Sequence, residues 1–180
     1  YEIGVRLVGS EMCIRDRVLK AVEYRAEGVD IDTAADCLLE GRHNMCQVFT
    51  VDNLKYLKKG GRISNLKAAV GTVLQIKPLL KGDPEGKIVC FAQVRGRKKS
   101  IELMAEQYDR YVEHAECETI GIAHGDCPED AEALIALLNR NHPPKNIINA
   151  CYEPMTGAHV GPGALALFFY GKKEFRQATK

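Results

Sequence analysis

Ile76-Lys77-Pro78-Leu79-Leu80, then Gly82-Asp83-Pro84-Glu85-Gly86, then Ile88-Val89-Cys90-Phe91-Ala92-Gln93-Val94 is the stretch that decides the fold. Two β-prone runs flank a cluster of turn residues, the pattern of a hairpin with a longer loop. Upstream, Met45 to Val51 alternates as a strand, with Cys46, Val48 and Thr50 on one face and Met45, Gln47, Phe49 and Val51 on the other. Downstream, Thr119 to Ala123, Asn146 to Cys151 and Ala164 to Tyr170 are further strands. Helical spacing fills the gaps. A helix from about Lys98 to Val112 carries the stripe Ile101, Met104, Tyr108, Tyr111 and Val112. Another starts at Cys127-Pro128, turns Ala131, Leu134, Ile135 and Leu138 inward, and ends at His142-Pro143-Pro144. A further helix opens near Ser64, with Leu66, Ala69, Val70, Val73 and Leu74 on one stripe. Strands interspersed with helices imply an α/β (α+β) lobe: a mixed sheet of about six strands with helices packed on it.

Before this lobe, the spacing predicts a helix from Val18 to about Ala26, a turn at Gly28, and a second helix opened by a Thr33-x-x-Asp36 capping box, with Leu38 and Leu39 on its buried side. Asp52 is expected to cap a short helix carrying Leu54 and Leu57, which Gly60-Gly61 ends. Residues 1–17 sustain neither a 3.6 nor a 2.0 period; they resemble a translated adapter or cloning scar, a non-native or disordered leader outside the fold. Three segments follow: the leader 1–17, a helical segment 18–44, and an α/β lobe 45–180.

The chain has 180 residues, 46% of them hydrophobic, enough for one sizeable core. With 25 basic and 24 acidic residues there is no global pull toward nucleic acid or anionic membrane. No apolar run is long enough for a membrane span, and the start lacks the regions of a secretory signal. The seven cysteines form no Cys-x-x-Cys pair and cannot all close into internal disulfides, so they read as reduced, structural thiols of a cytoplasmic protein.

Three segments carry chemistry. In Leu54 to Ser64, Gly60 and Gly61 free the backbone just before a helix begins, and Arg62 adds a fork suited to a carboxylate or phosphate; a capped helix end with a surface arginine reads equally from the spacing. In Gly157-Ala158-His159-Val160-Gly161-Pro162-Gly163, expected as a loop between two strands, His159 can donate to an anion or simply satisfy a loop hydrogen bond. Arg95-Gly96-Arg97-Lys98-Lys99 puts four positive charges at a strand–helix junction, without the aromatic residues that stack bases, so protein docking ranks above nucleic acid and a solvated charge run stays open. His43, His114, His124 and His142 lack metal-ligand spacing, and no phosphate-binding loop, nucleophile elbow or dinucleotide fingerprint occurs.

Taken in order, Leu54 to Ser64, Ile76 to Leu80, the Gly86-Lys87-Ile88 turn, Arg95 to Lys99 and His159 to Gly163 resemble the DegV family of fatty-acid-binding proteins, the likeness running over residues 18–171 as a carboxy-terminal lobe. The resemblance implies a cytoplasmic bacterial protein that is not itself an enzyme. It implies a long-chain fatty acid as ligand with no other cofactor and no metal, and a separate fatty acid kinase that phosphorylates the bound acid. It places Arg62 and His159 on the carboxylate, with Gly60, Gly61, Gly161 and Gly163 as supporting backbone, and Arg95 and Arg97 toward the kinase. It also implies an amino-terminal lobe, unmatched by anything before Val18, that supplies hydroxyl donors to the carboxyl. Two alternatives rest on the residues alone. One is an acyl-transfer or thiol enzyme using Cys127 or Cys151 beside His124 or His159; the other is a nucleic-acid regulator binding through Lys58, Lys59, Arg95 and Lys98.

Overall fold

The computed structural model describes residues 18, 20–61 and 75–177. Six strands form one mixed sheet: β1 (Met45–Thr50), β2 (Ile76–Gly82), β3 (Ile88–Arg95), β4 (Thr119–His124), β5 (Asn146–Cys151) and β6 (Leu165–Tyr170), in the order β3-β2-β1-β6-β4-β5. The hairpin is present: β2 runs antiparallel to β3 from Ile76 opposite Arg95 to Gly82 opposite Ile88, with a register shift at Leu79/Leu80. Asp83 closes the loop, its carboxylate accepting from the Lys87 amide at 2.7 Å and its carbonyl from Gly86 at 3.0 Å. β1 and β6 lie side by side in the middle, antiparallel, from Met45 opposite Tyr170 to Thr50 opposite Leu165. Only β4 and β5 pair in parallel, which requires a crossover between them.

The helices are α1 (residues 20–26), α2 (Ile31–Glu40), α3 (Lys55–Lys59), α4 (Arg97–Tyr111), α5 (Pro128–Asn141, the β4–β5 crossover), α6 (Pro154–Val160) and α7 (Glu174–Gln177). Strand alternation divides the core in two. Cys46, Val48, Leu79, Ile120, Ile122, Leu165, Leu167 and Phe169 pack with Ile101, Met104 and Tyr108 of α4 and Ala131, Leu134 and Leu138 of α5. Phe169 sits edge-on to Tyr108 at 5.2 Å and to Phe175 at 5.9 Å. The other face carries Phe49, Leu80, Ala123, Ala166 and Phe168, with Leu57 of α3 and Val160 of α6 laid on it. Both faces of β1 are therefore buried, as its expected alternation requires.

Four local expectations are corrected. α2 is capped by Asp30, not by a Thr33 box: the Asp30 carboxylate accepts from the Asp32 and Thr33 amides at 3.1 and 3.0 Å and from the Thr33 hydroxyl at 2.6 Å. Leu39 is 60% exposed and Leu38 half-buried, so α2 buries no residue. Asp52 does not cap α3; the Lys55 amide donates to Asn53 Oδ1 at 2.9 Å instead. Finally, 157–163 is not all loop, because Pro154 at the first turn and Glu153 as N-cap start a helix that runs through His159 to Val160. The expected leader 1–17 and the helix opening near Ser64 lie outside the described residues. Among the described residues no helix is long and apolar enough to cross a membrane.

Candidate functional site

Strand directions gather four connections at one end of the sheet. β1, β3, β4 and β5 finish there and β2 and β6 begin there, so residues 52–61, 75, 96, 125–127 and 152–164 share a rim. Backbone in unusual conformations concentrates on it. Gln75 and Asp126, neither of them glycine, hold φ of 73° and 55°. Such residues persist only where their surroundings hold them in place, and Gln75 is tied through its carbonyl to the Gly96 amide at 2.9 Å.

The short helix α3 and the helix α6 meet end to end on this rim. Gly60, the C-cap of α3, lies so close to the His159 imidazole that a Cβ added there would be 2.7 Å from Nδ1. Only a glycine permits that approach. His159 itself is half-buried in the last turn of α6, and among the described residues its ring makes no hydrogen bond. α6 ends at Gly161, whose amide donates to the Gly157 carbonyl at 2.8 Å and whose α-carbon faces the Tyr56 ring of α3. The chain then turns at Gly163, with φ of 73°; a Cβ there would be 2.5 Å from the Asp52 carboxylate carbon. Gly163 N donates to Gly125 O at 2.7 Å, and Gly125 N returns a bond to Ala164 O at 2.7 Å, stitching this turn to the one after β4.

Below the turn is a chain of ions. Asp52 receives Lys77 Nζ at 2.7 Å and lies 3.7 Å from Arg97 Nη1, while Arg97 Nε donates to Asp130 Oδ2 at 2.8 Å and Nη2 reaches Cys127 Sγ at 3.6 Å. Arg95 is exposed at the end of β3, but Arg97 is largely covered and held between two carboxylates. The expected site residues Gly60, Gly61, His159, Gly161, Gly163, Arg95 and Arg97 therefore occur at the same end of the sheet, and His159 is brought against Gly60. Arg62 lies outside the described residues. Sequence reading missed Tyr56, Lys77, Gly125 and Asp130, and it misassigned Asp52. Their roles depend on partners distant in the chain, and no local pattern marks them.

The thiol chemistry finds no support in this geometry. Burial pushes the Cys127 thiol up, only partly countered by the Arg97 charge, which keeps it protonated. Its Sγ donates to Ala164 O at 3.4 Å, and His124 Nδ1 accepts from the Cys127 amide at 3.3 Å, so that nitrogen is engaged with backbone. Cys151 is exposed at the end of β5. Among the described residues no group of three or more His, Cys, Asp or Glu side chains is placed to hold a metal ion.

Residues 12–172 match the model of a family described as uncharacterised proteins of the DegV family. The chain belongs to the DegV family. A DegV domain-containing protein of Clostridium perfringens is 38% identical over 154 residues, which cover 86% of this chain and 53% of that relative. Among solved structures, a fatty acid binding DegV family protein of Streptococcus agalactiae is 31% identical with a TM-score of 0.75, covering 87% of this chain and 55% of that one. A DegV family protein of Thermus thermophilus, described by its fatty acid binding, is 25% identical with a TM-score of 0.80, covering 89% and 57%. These relationships establish the DegV α/β fold. The chain spans about half the length of the DegV relatives it matches.

Proposed function

We propose that this DegV chain contributes one lobe of a fatty-acid carrier, which holds the acid's carboxyl at the α3–α6 rim and presents it to a separate fatty acid kinase for acyl-phosphate formation. The observation that carries the reading is the His159 imidazole seated against Gly60 at the border of an apolar sheet face. Leu57 and Val160, the neighbours of these two ends, already belong to the cluster of Phe49, Leu80, Ala166 and Phe168. That layer is already covered, so we place the head group at the imidazole on its border and the tail between this lobe and the one that completes the carrier. Arg62 follows Gly60 by two residues in the sequence, and we assign it, together with His159, to one carboxylate.

The energetics assign the two ends different tasks. At about 0.8 kcal/mol per buried methylene, a long acyl chain gains on the order of 10 kcal/mol before ordering costs. A buried carboxylate costs several kcal/mol unless paired, and charge-assisted hydrogen bonds return about 1.5–3 kcal/mol each. The tail therefore sets affinity, and the head-group residues set orientation. Arg95, exposed on the same rim, offers charge to the kinase, while Arg97 holds the basic segment in place.

The test is mass spectrometry of lipids co-purifying with this chain alone, and with the chain joined behind the amino-terminal half of the Clostridium perfringens relative. The expected result is one fatty acid per completed protein and little with the chain alone. In the completed protein, Arg62→Ala and His159→Ala should lower phosphorylation more than lipid retention, and non-additively, because they share one anion. A completed, folded protein that carries no fatty acid overturns the proposal.

A further inference from the structure

We propose that Asp52 is a positioning residue for this site: its carboxylate, seated beneath Gly163 and held by Lys77 and Arg97, fixes where the 161–163 turn places His159. The role assigned to His159 rests on the fatty-acid reading above; the placement itself rests on geometry alone. Asp52 is the second residue beyond β1 and stands three residues before α3, the helix that ends at Gly60. The same carboxylate touches the turn that ends α6, the helix that carries His159. Both halves of the Gly60–His159 contact are thus referred to one side chain.

The Asp52 side chain is 49% exposed, and its fit is close on the side that faces the turn. Gly163 leaves no room for a Cβ above the carboxylate, and the Gly125–Ala164 and Gly163–Gly125 backbone bonds, both 2.7 Å, keep the turn from lifting. Gly125 has no room to retreat either, since a Cβ there would stand 2.6 Å from the Gly161 carbonyl oxygen. From below, Lys77 enters from the start of β2 and Arg97 from the start of α4. Arg97 is anchored in turn by Asp130 in the first turn of α5. Lys77 and Arg97 therefore hold the carboxylate against the turn, and Asp130 holds Arg97. Arg97 is two residues from Arg95, so the same network joins the head-group site to the exposed cation offered to the kinase.

Asp52→Asn keeps the shape and removes the charge that holds Lys77 and Arg97. Its expected signature is a moved His159 ring resonance and moved Gly60 and Gly163 amide resonances in the NMR spectrum of this chain, with the methyl resonances of Leu134 and Leu138 unchanged. In the completed protein loaded with oleic acid labelled at the carboxyl carbon, the carboxyl resonance should move while retained oleate changes less than threefold. Gly163→Ala should displace the same resonances. It should do less further damage when combined with Asp52→Ala, because the colliding carboxylate is then gone. A carboxylate that serves stability alone would lower the melting temperature in Asp52→Asn and leave the His159 ring where it is, and that result overturns the proposal. The two claims separate cleanly. If the ring moves but no oleate binds to the completed wild type, positioning stands and the fatty-acid reading fails. If oleate binds and Asp52→Asn moves neither ring nor carboxyl resonance, the reading stands and positioning fails.

Discussion

Gly60→Ala sets the site's geometry against the fold's stability. The backbone at Gly60 has φ of −76° and ψ of 0°, which alanine adopts without strain. Replacing glycine there restricts the unfolded chain and favours folding by about 0.4–1 kcal/mol. Against this, the new methyl would stand 2.7 Å from His159 Nδ1, so the ring must retreat by about 0.7 Å to reach the 3.4 Å of ordinary contact. If it does so by leaving its rotamer, the cost is about 0.5–1.5 kcal/mol. The two terms nearly cancel, and the melting temperature should move by no more than about 2–4 °C for a chain of this size. Under the proposed function the head group would then meet a donor displaced by a large fraction of an ångström, where a 1 Å error costs on the order of 100-fold in rate. In the completed protein, acyl-phosphate formation at saturating kinase should fall by roughly 10-fold or more while extracted fatty acid stays near one per chain. Thermal unfolding, lipid mass spectrometry and a phosphotransfer assay together check this. Undiminished turnover with an unmoved His159 resonance would refute the claim that Gly60 is glycine to admit the imidazole.

Four further outcomes are expected. Burial, aided by the charge of Asp109, pushes the Tyr108 hydroxyl from its ordinary 10.0 up to about 12. Between pH 10 and 12 the unfolded chain therefore loses a proton that the folded chain keeps, and stability should fall by at most about 2–3 kcal/mol across that window. Tyr108→Phe should flatten that limb of a pH–denaturation series, at a roughly constant cost of about 1 kcal/mol for the lost bond to His142 O, 2.9 Å long. If the proposed docking role holds, Arg95→Glu in the completed protein should raise a fatty acid kinase's KM for it without loss of bound lipid. Arg97→Met should instead destabilise the fold by about 1–3 kcal/mol in urea, because it strips Asp130 of its partner. At pH 8 a thiol reagent should label the exposed Cys117 and Cys151 well before Cys127, whose thiol burial holds protonated; early labelling of Cys127 would contradict the environment described for it.

Elements with strong local signals were legible in the sequence. The Gly82–Gly86 cluster announced the hairpin, the stripe Ile101, Met104 and Tyr108 announced α4, and Cys127-Pro128 announced α5. α6 was not, since its glycine at 157 and the glycines at 161 and 163 outweighed the Glu153-Pro154 start signal in a loop reading. Asp52 looked like a cap because it precedes a short helix by three residues. Its actual partners, Lys77 and Arg97, lie 25 and 45 residues further along, and no window of sequence contains them. The same holds for Leu39, which local amphipathicity buries and the tertiary structure exposes. Within the candidate site, His159 and the glycines at 60, 61, 161 and 163 could be singled out from the chain, and the structure sets them at one end of the sheet. The contact of His159 with Gly60 could not, because it arises only where two helix ends meet across the rim.

The central pairing of β1 with β6 sets a schedule for synthesis. Met45 faces Tyr170 across the middle of the sheet, so the ladder closes a loop of roughly 125 residues at a chain-entropy cost of about 4 kcal/mol. At about 5–20 residues per second, roughly 6–25 seconds pass between the emergence of β1 and that of β6. Throughout that interval β1 can pair only with β2, leaving Val48 and Phe49 on an open strand edge beside a half-built apolar surface. A nascent chain stalled between α6 and β6 would lack the central core residues Leu165 to Phe169 and have a three-stranded ribbon β3-β2-β1 unattached to the β4-β5 pair, so the ribosome must release β6 before the sheet's two halves can become one.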